Sequence, residues 1–186
     1  MNPIVRSFHS VMLPSILALL VMGQCFSEAG AAEHGHGRVN MQGSIIDTPC
    51  AIDVNSRDQT IDMAVIPVGQ IIRDNHGPER AFHIRLINCT LTPLRPNSPD
   101  WSKFRITFDG PSTGQNLFRV SGDARGVGLQ IADTAGAVAI PGEAMPAAEL
   151  LIGNMQLNYT LRLMSNREHL RAGAYRTTIR FKLDYF

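Results

Sequence analysis

Short segments of alternating or mixed apolar residues, separated by turn signals, fill the chain from residue 39 onward. They are rich in Val, Ile, Thr, Phe and Tyr, which favour strands, and Gly, Pro, Asp and Ser cluster between them. Many strands at short spacing predict an all-β sandwich or barrel, with one turn of helix near 68–73. The predicted strands are 39–46, 59–63, 81–88, 104–108, 117–120, 127–131, 157–164 and 175–185.

The segment at 175–185 shows the clearest alternation of apolar and polar side chains. Successive side chains of a strand point to opposite faces, so this strand should bury one side and expose the other. Only Phe186 follows it, and we therefore expect its edge and apolar face to need a cover from elsewhere. The residues expected on the apolar face are Tyr175, Thr177, Ile179, Phe181, Leu183 and Tyr185.

A second alternating segment, near the other end of the chain, precedes Cys50. It carries Val39, Met41, Gly43 and Ile45, and the residues just before it, 33–37, are small and polar. A strand tethered so loosely could pair outside its own domain, or it could be an ordinary first strand. The pattern alone favours neither interpretation.

The N-terminal residues have the order of a secretory signal peptide, with Arg6 near the start, an apolar run at 11–22 and small residues at 29–32. The apolar run is too short to span a bilayer, which takes about 20 residues. The sequence therefore predicts an exported protein with a signal peptide (1–32), an N-terminal extension (33–46) and one domain (47–186).

Of the three cysteines, Cys25 lies in the predicted signal peptide, which leaves Cys50 and Cys89. Two thiols in an exported chain are expected to form a disulfide, and closing a loop of this length should stabilise the fold by about 4 kcal/mol. A free or metal-bound pair is the rival interpretation. It is disfavoured because no Cys-x-x-Cys motif or Cys/His cluster surrounds either residue.

The balanced charge argues against nucleic-acid binding, and the lack of catalytic motifs argues against an enzyme. Lys and Arg number 17 against 16 for Asp and Glu, without a basic run, so nucleic acid is not an expected partner. His34 and His36 would make a weak metal site, and no catalytic motif is present. We expect no enzyme activity, cofactor, metal or small-molecule substrate. Trp101, in a proline-rich loop, is either a binding aromatic or, as we favour, folded back on the sandwich.

Several segments occur in an order and spacing that resemble the subunits of chaperone–usher pili, the type 1 and P-pilus family. The most specific part is the ending, with a glycine fourteenth from the C-terminus and a penultimate tyrosine, here Gly173 and Tyr185. The resemblance covers nearly all of the chain after the signal peptide. The other matching segments are Gly37 to Ile45 with Thr48-Pro49-Cys50, and 82–89, 104–110 and 126–133.

The resemblance implies an incomplete immunoglobulin-like β-sandwich that lacks its last strand and is completed by donor-strand complementation. A periplasmic chaperone would fill the groove, an outer-membrane usher would receive the subunit, and a neighbouring subunit's extension would replace the chaperone. The implied donor side chains are Val39, Met41, Gly43 and Ile45. The implied chaperone and acceptor groove comprises Gly173, Tyr175, Ile179, Phe181, Leu183, Tyr185 and Phe186, with the terminal carboxylate held by basic chaperone residues.

Several stretches, among them 61–63, 129–133 and 157–162, are most similar to the minor P-pilus subunit that terminates the rod and anchors it at the outer membrane. A terminator would donate its extension but offer no groove open to another. A major or adaptor shaft subunit is the alternative, and a tip adhesin is less favoured because this length leaves no room for a receptor-binding domain. We expect export through the periplasm to the surface pilus of a Gram-negative bacterium, where the subunit supports cell adhesion.

Overall fold

The computed structural model describes residues 37–43 and 47–186. Residues 47–186 belong to one compact unit and residues 37–43 to another. The predicted signal peptide, residues 33–36 and Ile45 lie outside the described residues. Residues 39–43, the described part of the strand predicted at 39–46, form no ladder hydrogen bonds within this chain, so they are not an ordinary first strand of their own domain.

The domain is built mainly from antiparallel strands. Its largest sheet has five strands in the order β1-β2-β8-β6-β4, a second has the order β10-β3-β7, and β5 pairs with β9. These strands are β1 (Ala51–Ile52), β2 (Arg80–Cys89), β3 (Lys103–Asp109), β4 (Phe118–Arg119), β5 (Ser121–Gly122), β6 (Val127–Asp133), β7 (Ala148–Glu149), β8 (Gly153–Ser165), β9 (Tyr175–Arg176) and β10 (Arg180–Tyr185).

The core lies between the five-stranded sheet and the sheet that contains β3. Alternate residues of β8 are buried, as are alternate residues of β3, because one face of each sheet turns inward. The ring of Phe108 from β3 lies 5.1 Å, centroid to centroid, from Tyr159 of β8 and 6.3 Å from Phe82 of β2. These edge-on contacts join the two sheets and confirm the sandwich architecture.

A disulfide between Cys50 and Cys89 links the start of β1 to the end of β2, which confirms the predicted pair. The two Cα atoms are 4.1 Å apart. Next to the bridge, the amide of Thr90 donates to the carbonyl of Pro49 at 2.8 Å. The point at which the chain enters the sandwich is therefore fixed both covalently and by a backbone hydrogen bond.

Two short helices follow β1, namely α1 (Val54–Arg57) and α2 (Val68–Asp74). The sequence predicted α2 but not α1, which is a single turn begun by the Asp53 carboxylate accepting from the Asn55 amide. Helix α2 ends at Asn75, whose left-handed backbone (φ 62°) lets its amide reach the carbonyl of Ile71.

Three further sequence predictions meet the structure differently. The strand predicted at 59–63 is wrong, because none of the described strands pairs with this segment. Gln59 instead donates through its side chain to the carbonyl of His83. The single strand predicted at 175–185 is divided into β9 and β10. The favoured interpretation of Trp101 is confirmed, since its side chain packs against the core and its amide donates to the carbonyl of Leu91.

Candidate functional site: a cleft beside the C-terminal strand

A cleft of about 1290 Å³ opens along the domain. Residues 56–66 line one side, which we call the N-terminal wall, and residues 170–181 line the other, the C-terminal wall. Between the walls the cleft is bordered by side chains that belong to the hydrophobic core and are themselves buried. The core residues that form this floor include Ile84, Phe108, Leu129, Ile131, Leu161 and Leu163.

The backbone of the N-terminal wall has no strand beside it. Within the part of the chain that the structure describes, no backbone-to-backbone hydrogen bond involves residues 59–66. The amide of Ala64 is satisfied locally by the Asp62 carboxylate at 2.8 Å, at a residue with φ 58°. Met63 is buried and Ile61 half-buried, so this wall directs apolar side chains inward while its backbone groups stay available.

The C-terminal wall continues into β10, which is an edge strand. It pairs with β3 from Arg180 opposite Asp109 to Tyr185 opposite Phe104, and has no second partner among the described strands. Every second residue from 175 to 185 is half-buried and the alternate residues are exposed, which confirms the alternation expected from the sequence. The expected apolar face is thus present, but it is only partly covered.

The predicted groove residues occupy three places. Gly173, Tyr175, Ile179 and Phe181 line the cleft. Leu183 and Tyr185 continue the same half-buried face of β10 beyond the lined part.

Phe186 lies at the end of the strand and is 46% exposed. The guanidinium carbon of Arg105 is 4.9 Å from the centre of the Phe186 ring, a cation–π distance. One oxygen of the Phe186 carboxylate accepts from the amides of Ser102 and Lys103 at 3.1 and 2.9 Å.

The C-terminal wall changes partners along its length, which explains why 175–185 is not one strand. β10 follows β3, whereas β9 pairs with β5, Tyr175 lying opposite Gly122. Between them the Thr177 hydroxyl donates to the carbonyl of Arg119 at 2.8 Å. The chain therefore passes from one partner strand to another without losing its alternation of side chains.

Gly173 lies where two backbones approach closely. A Cβ at this position would be 2.6 Å from the Cβ of Asp123 and 2.7 Å from the amide nitrogen of Ala124. The amides of Asp123 and Ala124 both donate to the carbonyl of Ala174, at 2.9 and 3.2 Å. Only a glycine allows this approach, which fixes the start of the C-terminal wall.

Two tyrosines in this region titrate above their ordinary range. Burial, and secondarily the negative charge of Asp62, raise the pKa of Tyr175, and burial raises the pKa of Tyr185. The Tyr175 hydroxyl is buried and finds no hydrogen-bond partner among the described residues. Among the same residues there is no cluster of metal-ligating side chains.

The family model described as "Fimbrial protein" matches residues 39–185. The chain belongs to the fimbrial protein family. The PRS fimbrial minor pilin protein of Escherichia coli is 36% identical over 166 residues, covering 88% of this chain and 85% of that protein. The Fimbria A protein of Serratia marcescens is 32% identical over 181 residues, covering 95% and 98%.

Two solved structures share the fold. The P pilus rod subunit PapA has a TM-score of 0.66 at 22% identity, covering 75% of this chain and all of that one. A subunit of a chaperone–usher pilus has a TM-score of 0.68 at 23% identity, covering 85% of this chain and all of that one. The predicted fold class and family are confirmed, and the protein is a structural fimbrial subunit of a surface pilus, not an enzyme. No helix of the described residues is long and apolar enough to cross a membrane.

The C-terminal half of the site was expected from the sequence, whereas the N-terminal wall was not. The alternation of Ile61 and Met63 signalled an extended segment, but it gave no sign that this segment would face the C-terminal wall across a gap. The reason is that a strand pattern does not reveal which neighbour a strand lacks.

Proposed function

We propose that the cleft receives a β-strand from another protein and that this strand completes the sandwich. One observation carries the proposal: core side chains form the floor of a gap between residues 59–66, which lack backbone pairing, and a C-terminal wall whose strands β9 and β10 each have one partner strand. A strand laid in the gap could pair with β10 and cover the floor, as in recognition by strand addition. It would also protect an exposed sheet edge, which otherwise invites aggregation.

The first occupant, in this proposal, is a periplasmic chaperone that holds the subunit until an outer-membrane usher receives it. Tyr175, Ile179, Phe181, Leu183 and Tyr185 would contact the incoming strand, with Gly173 fixing the wall from which they project. The unpaired Tyr175 hydroxyl would gain a partner. The Phe186 carboxylate would bind basic residues of the chaperone.

The subunit's own donor strand would come from the extension at 33–46, which follows a signal peptide (1–32) and precedes the domain (47–186). Val39 and Met41 are 82% and 90% exposed, and a Cβ added at Gly43 would meet no atom within 4 Å. With Ile45 they would present one side chain at every second position to a neighbour's cleft. Gly43 would pass the most crowded point there.

We further propose that this is a minor subunit that terminates the pilus and anchors it at the outer membrane, and so supports adhesion as part of the fimbria. The supporting observation is the 36% identity to the PRS and PAP fimbrial minor pilins of Escherichia coli, against 27% to the PRS major pilin. A shaft subunit is the second candidate, and the open cleft favours it, because a shaft subunit must accept a neighbour's strand.

Strand exchange decides between the two positions. The chaperone-bound subunit is mixed with a labelled peptide of residues 33–46, and a peptide with Gly43 replaced by Trp serves as the control. Incorporation of the natural peptide alone within hours identifies a shaft subunit. No incorporation of either peptide, together with an intact chaperone complex, identifies a terminator.

Deletion of residues 33–45 tests the donor role. The shortened subunit should still bind its chaperone, because the cleft is unchanged, but it should be absent from fimbriae sheared from the cells. Normal incorporation would contradict the donor assignment. If the subunit with its full extension did not bind the chaperone either, the assignment of the cleft as the chaperone site would be contradicted.

A further inference from the structure

One end of the sandwich carries exposed apolar side chains that neither the core nor the cleft uses. We call it the disulfide pole, since the Cys50–Cys89 bridge lies there. Cys89 is paired with Gly153, and the amide of Leu150 donates to the carbonyl of Ser102 at 2.9 Å. These contacts hold the connection between β7 and β8 against the end of β2 and the start of β3.

Leu151 and Ile152 lie in this connection and are 58% and 75% exposed. The residues on either side of them are fixed, Leu150 by its hydrogen bond to Ser102 and Gly153 by its pairing with Cys89. Two adjacent large aliphatic side chains are therefore presented to solvent from a backbone that cannot simply turn them inward. Such an apolar patch at a fixed position is typical of an interaction surface.

The short segment between the proposed donor strand and the domain, residues 45–49, places a neighbouring subunit at this pole. In the proposed donor strand Ile45 is the last inserted side chain, and Pro49, buried and bonded to Thr90, is already part of the sandwich. Four residues of chain span at most about 14 Å. The body of the subunit that accepts the strand must therefore lie within about 14 Å of Pro49.

We propose that Leu151 and Ile152 form a second contact with the fimbrial subunit that accepts this chain's donor strand, and that they pack on an apolar surface at the mouth of its cleft. The inference rests on the donor part of the proposed function, and it applies equally to a terminator and to a shaft subunit, since both donate. The contact would add to the strand and fix the angle between successive subunits.

The chemistry of the pole favours an apolar partner surface over a charged one. Exposed charges near the patch have both signs, with Lys103 and Glu149 directly opposite each other across β3 and β7. Mixed charges provide no strong electrostatic attraction, so they would contribute a polar rim around an aliphatic centre. The aliphatic pair is therefore expected to supply most of the added stability.

The test compares two donors on one acceptor. The acceptor is the rod subunit of the same fimbriae, purified in complex with its chaperone. Its own extension is removed, so that it can accept a donor strand but cannot donate one. The donors are the full chain and a peptide of residues 33–46, which lacks the pole. The rate at which each donor leaves the acceptor is measured at a fixed urea concentration.

Replacing Leu151→Ser and Ile152→Ser together should speed release of the full chain about tenfold, the loss expected for a central apolar contact. Ile72→Ser is the matched control, because Ile72 is a similarly exposed aliphatic residue (65%) that lies away from the pole. It belongs to α2, and the carbonyl of Asn75 just after α2 accepts from the amide of Ser165 at the opposite end of β8. The control should leave the rate unchanged, and both variants should unfold like the natural chain.

Three outcomes are distinguishable. If the double variant and the natural chain leave at the same rate, the contact at the pole is refuted while the donor strand stands. If the peptide never enters the acceptor, the donor assignment fails and this inference fails with it. If Ile72→Ser is as damaging as the double variant, the effect does not belong to the pole and the inference is overturned.

Discussion

Replacement of Gly173 by alanine should destabilise the domain, because the glycine lies where two backbones touch. The added Cβ would be 2.6 Å from the Cβ of Asp123 and 2.7 Å from the amide nitrogen of Ala124. Neither atom is free to yield, since the amides of Asp123 and Ala124 are both bonded to the carbonyl of Ala174. The segment that starts the C-terminal wall must shift or lose these bonds.

The magnitude follows from two opposing effects. Forcing an extra carbon into a packed position costs about 1–3 kcal/mol, and replacing glycine lowers the entropy of the unfolded chain, which returns about 0.4–1 kcal/mol. Taking the middle of each range, we expect the free energy of unfolding to fall by about 1.3 kcal/mol, and by at most about 2.6 kcal/mol. With a urea dependence of about 1–3 kcal/mol per molar, a loss of about 1.3 kcal/mol lowers the midpoint by about 0.4–1.3 M.

Urea unfolding of the mature chain measures the effect, and Gly69→Ala is the matched control. Gly69 lies in α2 with nothing within 4 Å of the position of a Cβ, so alanine there should stabilise the protein by up to about 1 kcal/mol through helix propensity. If Gly173→Ala raised the midpoint as Gly69→Ala does, the close approach and the role of Gly173 in the wall would be refuted.

The remaining predictions concern the bridge and the core. Replacing Cys50 and Cys89 by serine should lower the free energy of unfolding by about 4 kcal/mol, and reductant should then have no further effect on urea unfolding. Phe108→Ala, at a fully buried ring, should lower the free energy of unfolding by about 3–5 kcal/mol. Phe181→Ala, at a partly buried ring in the cleft, should lower it clearly less but should weaken chaperone binding more than Phe108→Ala does. Burial, followed by the charge of Asp133, raises the pKa of Tyr159 to about 12. The contribution of this shift to the free energy of unfolding is therefore fully present below about pH 10 and is lost as the pH rises to about 12. Tyr159→Phe should remove most of that loss in unfolding measured against pH.

Much of the fold was predictable because local rules coincide with the tertiary structure. The segments expected as strands at 81–88, 104–108, 127–131 and 157–164 all lie within strands, since each has a buried face that fixes its register. The disulfide was predictable from an exported chain with two remaining cysteines. The segment at 59–63 was not, because Ile61 and Met63 are extended and face inward without any partner strand.

The inward-facing side chains of the C-terminal strand could be read from the sequence alone, because alternation is a property of the extended backbone. It persists even where the strand is interrupted at 177–179. The resemblance of the ending to the fimbrial family singled out Gly173, whose close backbone contacts the structure then showed. That the wall at 56–66 lies across a gap from the wall at 170–181, with core side chains lining the gap, became known only from the folded domain. The physical reason is that a strand absent from the chain leaves no hydrophobic pattern in the sequence. Its place can be recognised only in the folded domain, where the walls at 56–66 and 170–181 face each other across a gap.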